Sequence, residues 1–71
     1  MSEDEAKARG IKPLARILGY DDAGVMPVDF AIAPAKACAS LLKNLNMTGK
    51  DIDFHEVNEA FAAVALANIK L

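Results

Sequence analysis

The sequence predicts an α/β layered fold with parallel strands, of which these residues supply a β-α-β-α portion. Three observations lead there. Aliphatic stretches of strand length alternate with stretches of helical periodicity in the order strand, helix, strand, helix, the pattern of a parallel sheet covered by helices. The second of those helices is apolar on nearly every side, so other structure must cover it. In addition, 54% of the 71 residues are hydrophobic. That is more than a chain this short hides, since a small domain buries only about 60% of its unfolded surface. Two strands do not make a stable sheet. Residues 1–71 are therefore expected to form one partial domain, a fragment of a larger body.

The elements follow in order. Met1 to Gly10 is charged. Ser2 stands where it caps a short helix with Glu5 three residues on, Lys7 and Arg9 suit the carboxyl end, and Gly10 stops it; a solvated tail is the alternative. Pro13 introduces Leu14-Ala15-Arg16-Ile17-Leu18-Gly19-Tyr20, and one strand is expected between residues 14 and 26, with a turn or bulge at Asp21-Asp22-Ala23-Gly24. Val28 to Ala33 reads as a loop with Phe30 and Ile32 tucked inward. Pro34 suits the first helical position. Beyond it Ala35, Cys38, Leu41, Leu42 and Leu45 fall on one stripe, opposite Lys36, Ser40, Lys43 and Asn44, and the helix ends near Asn46. Met47 to Lys50 links to a second short strand, Asp51 to Asn58. The last helix runs from Glu59 to at least Lys70. It reaches Leu71 without a glycine or polar C-cap, as though cut inside the helix.

Composition excludes several functions. The formal charge of −2 leaves no electrostatic footprint for nucleic acid or an anionic membrane. One cysteine and one histidine rule out an internal disulfide and argue against a Cys/His zinc site, so no metal is expected. The longest charge-free apolar stretch, Ala60 to Ile69, is about half of a membrane span. Met-Ser-Glu-Asp-Glu carries the wrong charge for a signal or transit peptide. A soluble, intracellular protein is expected.

Chemistry concentrates at Val57-Asn58-Glu59-Ala60-Phe61-Ala62-Ala63. A polar pair between the end of a parallel strand and a helix N-terminus lies where open α/β sheets place their sites, and the helix end favours an oxygen anion. Asn58 there either caps the helix, as asparagine commonly does, or holds a water or carbonyl oxygen with its amide. Cys38, on the apolar stripe, reads as an inert buried thiol. His55 reads as an ordinary sheet histidine. Strand alternation sets Glu56 opposite Asp51 and Asp53, which makes them a solvated strand entrance rather than a carboxylate cluster.

Asn58-Glu59-Ala60-Phe61-Ala62 resembles the Asn-Glu-Ala-Phe motif of the thiolase superfamily. Residues 13–20 resemble the strand that opens the C-terminal half of thiolases, Ala33 to Leu42 that half's first helix, and Asp51-Ile52-Asp53 its second strand. The similarity runs from Ser2 to Leu71. Val28 to Pro34 and Val64 to Lys70 resemble the acetoacetyl-CoA thiolase branch, the acetyl-CoA acetyltransferases.

The resemblance implies a parent enzyme that transfers acyl groups to and from coenzyme A by thiolytic cleavage or Claisen condensation. It implies no resident cofactor, coenzyme A thioester being the substrate. It further implies that Asn58 positions a water that donates to the thioester enolate oxygen, that Ala60 and Phe61 line the acyl and pantetheine pocket, and that Glu59 supports them. The full-length family members are homo-oligomers, in the mitochondrial matrix or the cytoplasm. The family's cysteine nucleophile, its Gly-His-Pro histidine and its Cys-x-Gly cysteine have no counterpart here, and Cys38 and His55 match neither catalytic position. The isolated chain is accordingly expected to be inactive. A small acidic carrier or interaction module is the alternative, against which Ser40-Leu41 is preceded by alanine rather than by the aspartate of a carrier attachment site.

Overall fold

A computed structural model describes residues 1–70. Helix α1 spans Glu3–Ala8, and its ends are set by local chemistry. The Ser2 hydroxyl accepts the Glu5 N–H at 3.1 Å, one of the four donors a helix start leaves free. At the other end Gly10 adopts φ 64°, a conformation that side-chain-bearing residues resist. Its N–H reaches the Lys7 carbonyl while that of Ile11 reaches Ala6, the paired closure of a Schellman cap.

The segment Pro27–Ile32, expected as a loop, is a 3-10 helix that runs without a break into α2, Ala33–Asn44. The α2 stripe is as the periodicity predicts: Ala35, Cys38, Leu41, Leu42 and Leu45 are half-buried, and Lys36, Ser40, Lys43 and Asn44 are exposed. Asn46 takes φ 53° just past the helix. The Asn46 and Met47 N–H groups close on Lys43 and Leu42, so asparagine plays here the part glycine plays after α1. A single 3-10 turn, Gly49–Asp51, follows. Helix α3 spans Ala62–Lys70, starting three residues later than the sequence suggests. The cut helix end expected at Leu71 lies outside the described residues.

The two predicted strands carry no regular secondary structure, apart from Asp51 at the end of the 3-10 turn, and form no sheet. Residues 14–26 and 51–58 carry no ladder, and no strand occurs among the described residues, so the β-α-β-α layout is not formed. The physical reason is that a strand exists only through a neighbour that takes its N–H and C=O groups, and these two segments do not pair with each other. Their side chains stand free, with Leu14 105% and Phe54 93% exposed.

The core is correspondingly thin. Ala6 and Val64 are the buried apolar residues among those described. The accessible surface is 6427 Å², against about 4200 Å² for a closed globule of this size. The radius of gyration is 15.4 Å, where a compact domain would have about 11 Å. What order there is comes from the 3-10 helix, which packs against both α2 and α3. Gly19 ties the first predicted-strand segment to α2: a Cβ added there would stand 3.1 Å from Leu45 Cδ2 and 3.2 Å from Leu41 Cδ1.

Candidate functional site

The 3-10 helix and α2 face the second predicted-strand segment and α3 across an open cavity of about 380 Å³. Phe30, Pro34 and Cys38 form one wall. The backbone run from His55 to Asn58, with Ala60 and Val64, forms the other. Phe61 closes the same junction from outside: its ring meets Phe30 edge-on at 6.1 Å between centroids and 67° between planes, a favoured aromatic arrangement. Val64, 3% exposed, is the packed floor on which α3 rests. A larger hollow between α1 and residues 11–17 holds none of the candidate site residues Asn58, Glu59, Ala60 and Phe61.

Asn58 thus lies on the cavity wall, exposed, in a stretch without regular secondary structure. It is not a helix cap. Helix α3 begins four residues later, and the Val64 N–H closes on the Phe61 carbonyl. Ala60 also lines the cavity, while Phe61 stands beside it on Phe30. Glu59 is exposed and forms no ion pair among the described residues. His55 and Cys38 border the same space from opposite sides, a proximity that the sequence did not suggest, and no hydrogen bond joins them. No cluster of three or more metal-ligating side chains occurs among the described residues.

Two carboxylates away from the cavity are stabilised in their charged form. Asp21 is held below the usual carboxylate range by the Ser40 hydroxyl and then by the Asp22 N–H. It also accepts Asn44 Nδ2 at 3.2 Å, pinning the first predicted-strand segment to α2. Asp51 is lowered by the Thr48 N–H and then by the Thr48 hydroxyl, at 2.7 and 3.0 Å. That reciprocal capping box shapes the turn into the residue 52–60 segment.

Sequence reasoning missed Asn68. Its Oδ1 accepts the Ala35 N–H at 2.8 Å. Its Nδ2 donates to the carbonyls of Ala31 at 2.7 Å and Val64 at 2.6 Å. The available signal was a lone carboxamide in an otherwise apolar helix, where a polar group needs partners.

The family described as thiolase, C-terminal domain, matches residues 11–71. The chain belongs to that family. Over its whole length it is 52% identical to a probable acetyl-CoA acetyltransferase of Dictyostelium discoideum and 51% identical to the mitochondrial acetyl-CoA acetyltransferase of Bos taurus. It spans 17% of the length of each. The crystal structure of the Bacillus anthracis acetyl-CoA acetyltransferase superposes with a TM-score of 0.92 at 48% identity, covering 99% of this chain and 18% of that one. As a thiolase C-terminal segment, the chain has the fold of the matching part of that enzyme. Among the described residues no helix is long and apolar enough to cross a membrane.

Proposed function

We propose that this chain is a partial C-terminal domain, residues 1–71, of an acetyl-CoA acetyltransferase that moves acyl groups to and from coenzyme A. The reading is carried by the likeness to enzymes of that name over the whole chain, with Asn58 and Ala60 on one cavity wall and Phe61 beside it. In the whole protein the segments 14–26 and 51–58 pair as strands, giving the α/β layered arrangement their alternation with helices predicts.

The cavity suits a thioester. Phe30, Pro34, Ala60 and Val64 offer apolar walls to an acyl or pantetheine chain, and Phe61 adds its ring at the rim. Asn58 supplies the polar group among them. Through a held water it donates to the enolate oxygen as charge develops there. A donor already aimed stabilises that charge without reorganising. Glu59 supports the segment from the solvent side. Coenzyme A thioester enters as substrate, with no resident cofactor or metal assigned. Nucleophile and proton-transfer groups come from parts of the enzyme beyond these residues, and the assembled protein is a homo-oligomer. It works inside the cell, in the mitochondrial matrix or the cytoplasm; relatives bear both mitochondrial and cytosolic names. Neither nucleic acid nor membrane is a partner.

The test is a graft of this chain into the Bacillus anthracis enzyme in place of its matching segment. The graft should cleave acetoacetyl-CoA with free coenzyme A. Asn58→Ala should lower kcat by ~10²–10³, the usual cost of one such donor, with coenzyme A affinity nearly unchanged. Asn58→Ser, too short to hold the same water, should lose as much. Near-normal kcat in both variants would leave Asn58 without a catalytic role.

A further inference from the structure

The cavity has two walls that belong to separate stretches of chain, and one side chain, Asn68, joins them by hydrogen bonds. Asn68 uses its carboxamide oxygen and both amide hydrogens at once: Ala35 N–H, Ala31 C=O and Val64 C=O. Each partner is tied to the cavity. Ala31 follows Phe30 in the chain, Ala35 follows Pro34, and Val64 lines the cavity itself. The bonds to Ala31 and Ala35 span 37 and 33 residues, whereas the bond to Val64 stays within α3. A residue of this type is required, because the site presents one donor and two acceptors, and asparagine offers the complement.

We infer that Asn68 is a positioning residue that sets the width of the acyl cavity and thereby the length of acyl chain it accepts. This rests on the acyltransferase reading given above. Without the two cross-element bonds, α3 is held to the 3-10 helix by apolar packing alone, the Phe30–Phe61 contact included, and the Phe30 and Val64 walls move apart more easily. The room gained admits a longer chain. A purely structural role for Asn68 would change stability and leave the preference between substrates where it was.

The graft in the Bacillus anthracis enzyme provides the test. Asn68→Ser keeps a hydroxyl bond to its own helix carbonyl four residues back and drops both cross-element bonds. Asn68→Asp, of the same shape, keeps the acceptor for Ala35 and loses both donors. The ratio of kcat/KM for 3-ketohexanoyl-CoA to that for acetoacetyl-CoA, which differ by two methylenes, should rise about tenfold in both, at the low end of what a pocket distinguishes per methylene. In the unmodified graft, the Ala35 amide should exchange slowly with solvent deuterium. An unchanged ratio in either folded variant overturns the assignment, as does rapid Ala35 exchange, which needs no variant to fold. An inactive unmodified graft overturns the acyltransferase reading and this assignment with it. An active graft whose ratio stays fixed overturns this assignment alone.

Discussion

Freed from any other structure, the 71 residues should not behave as a folded monomer, and the surface says by how much. The accessible area of 6427 Å² exceeds that of a closed globule by about 2200 Å². With roughly 57% of protein surface apolar, about 1250 Å² of that excess is apolar. At about 25 cal/mol per Å², the burial forgone is worth roughly 30 kcal/mol. The net stability of a domain this size is only about 4–10 kcal/mol, so the shortfall decides the outcome. The bare Leu14, Ile17, Tyr20 and Phe54, on backbone that no ladder pairs, direct the chain towards self-association. Sedimentation at high micromolar concentration should show oligomers, and urea should give a shallow, probe-dependent loss of helix. A monomer with one sharp transition, coincident by circular dichroism and fluorescence, would refute the reasoning. The same residues within the Bacillus anthracis graft should unfold cooperatively with their host.

Three further outcomes are expected. The isolated chain should show no acetoacetyl-CoA cleavage, because it lacks a nucleophile with a base in hydrogen-bond reach; turnover that Cys38→Ser abolishes would reverse the inert reading of that thiol. In the graft, Gly19→Ala should cost about 1 kcal/mol by pressing a methyl against Leu41 and Leu45, measured by urea midpoint, and an unchanged midpoint would show that these side chains yield freely. Protonating Asp51 should weaken the Thr48 capping box. Because its folded pKa lies below the ordinary 3.8, the contribution is fully present above that value and is lost as pH falls through the lowered one. The Asp51 carboxyl carbon shift should therefore titrate below the ordinary midpoint, and Thr48→Val, which deletes the hydroxyl bond, should move it back upward.

What could be read from the sequence was what closes within a few residues. Ser2, Gly10 and Asn46 mark helix ends because each completes a hydrogen bond or backbone turn among near neighbours. The α2 stripe was legible because period is a local property. The strands were not realised because the two segments do not pair with each other among the described residues, and no pattern within a segment supplies a neighbour. The start of α3 was misplaced by three residues: the polar Asn58-Glu59 pair resembles a cap, whereas Asn58 stays outside the helix and Phe61 meets Phe30 just ahead of it. Asn58, Ala60 and Phe61 were found through a motif resemblance. The facing wall from Phe30 to Cys38, and the bonds of Asn68 across more than thirty residues, depend on tertiary approach that one sequence does not encode visibly.

The contrast between the two kinds of fastening also orders events in time. Helix α2 closes its carboxyl end through loops of three to five residues, contacts that a nascent chain can make within microseconds of becoming free to do so. Helix α3 is anchored by Asn68 to carbonyl and amide groups 37 and 33 positions earlier, and closing so long a loop carries an entropy cost before any contact rewards it. The cavity should accordingly be assembled late. The α2 wall waits as a formed helix, and the arrival of α3 on the 3-10 helix is the step at which the wall bearing Asn58 is brought opposite it. Substitutions at Asn68 should then speed unfolding more than they slow folding.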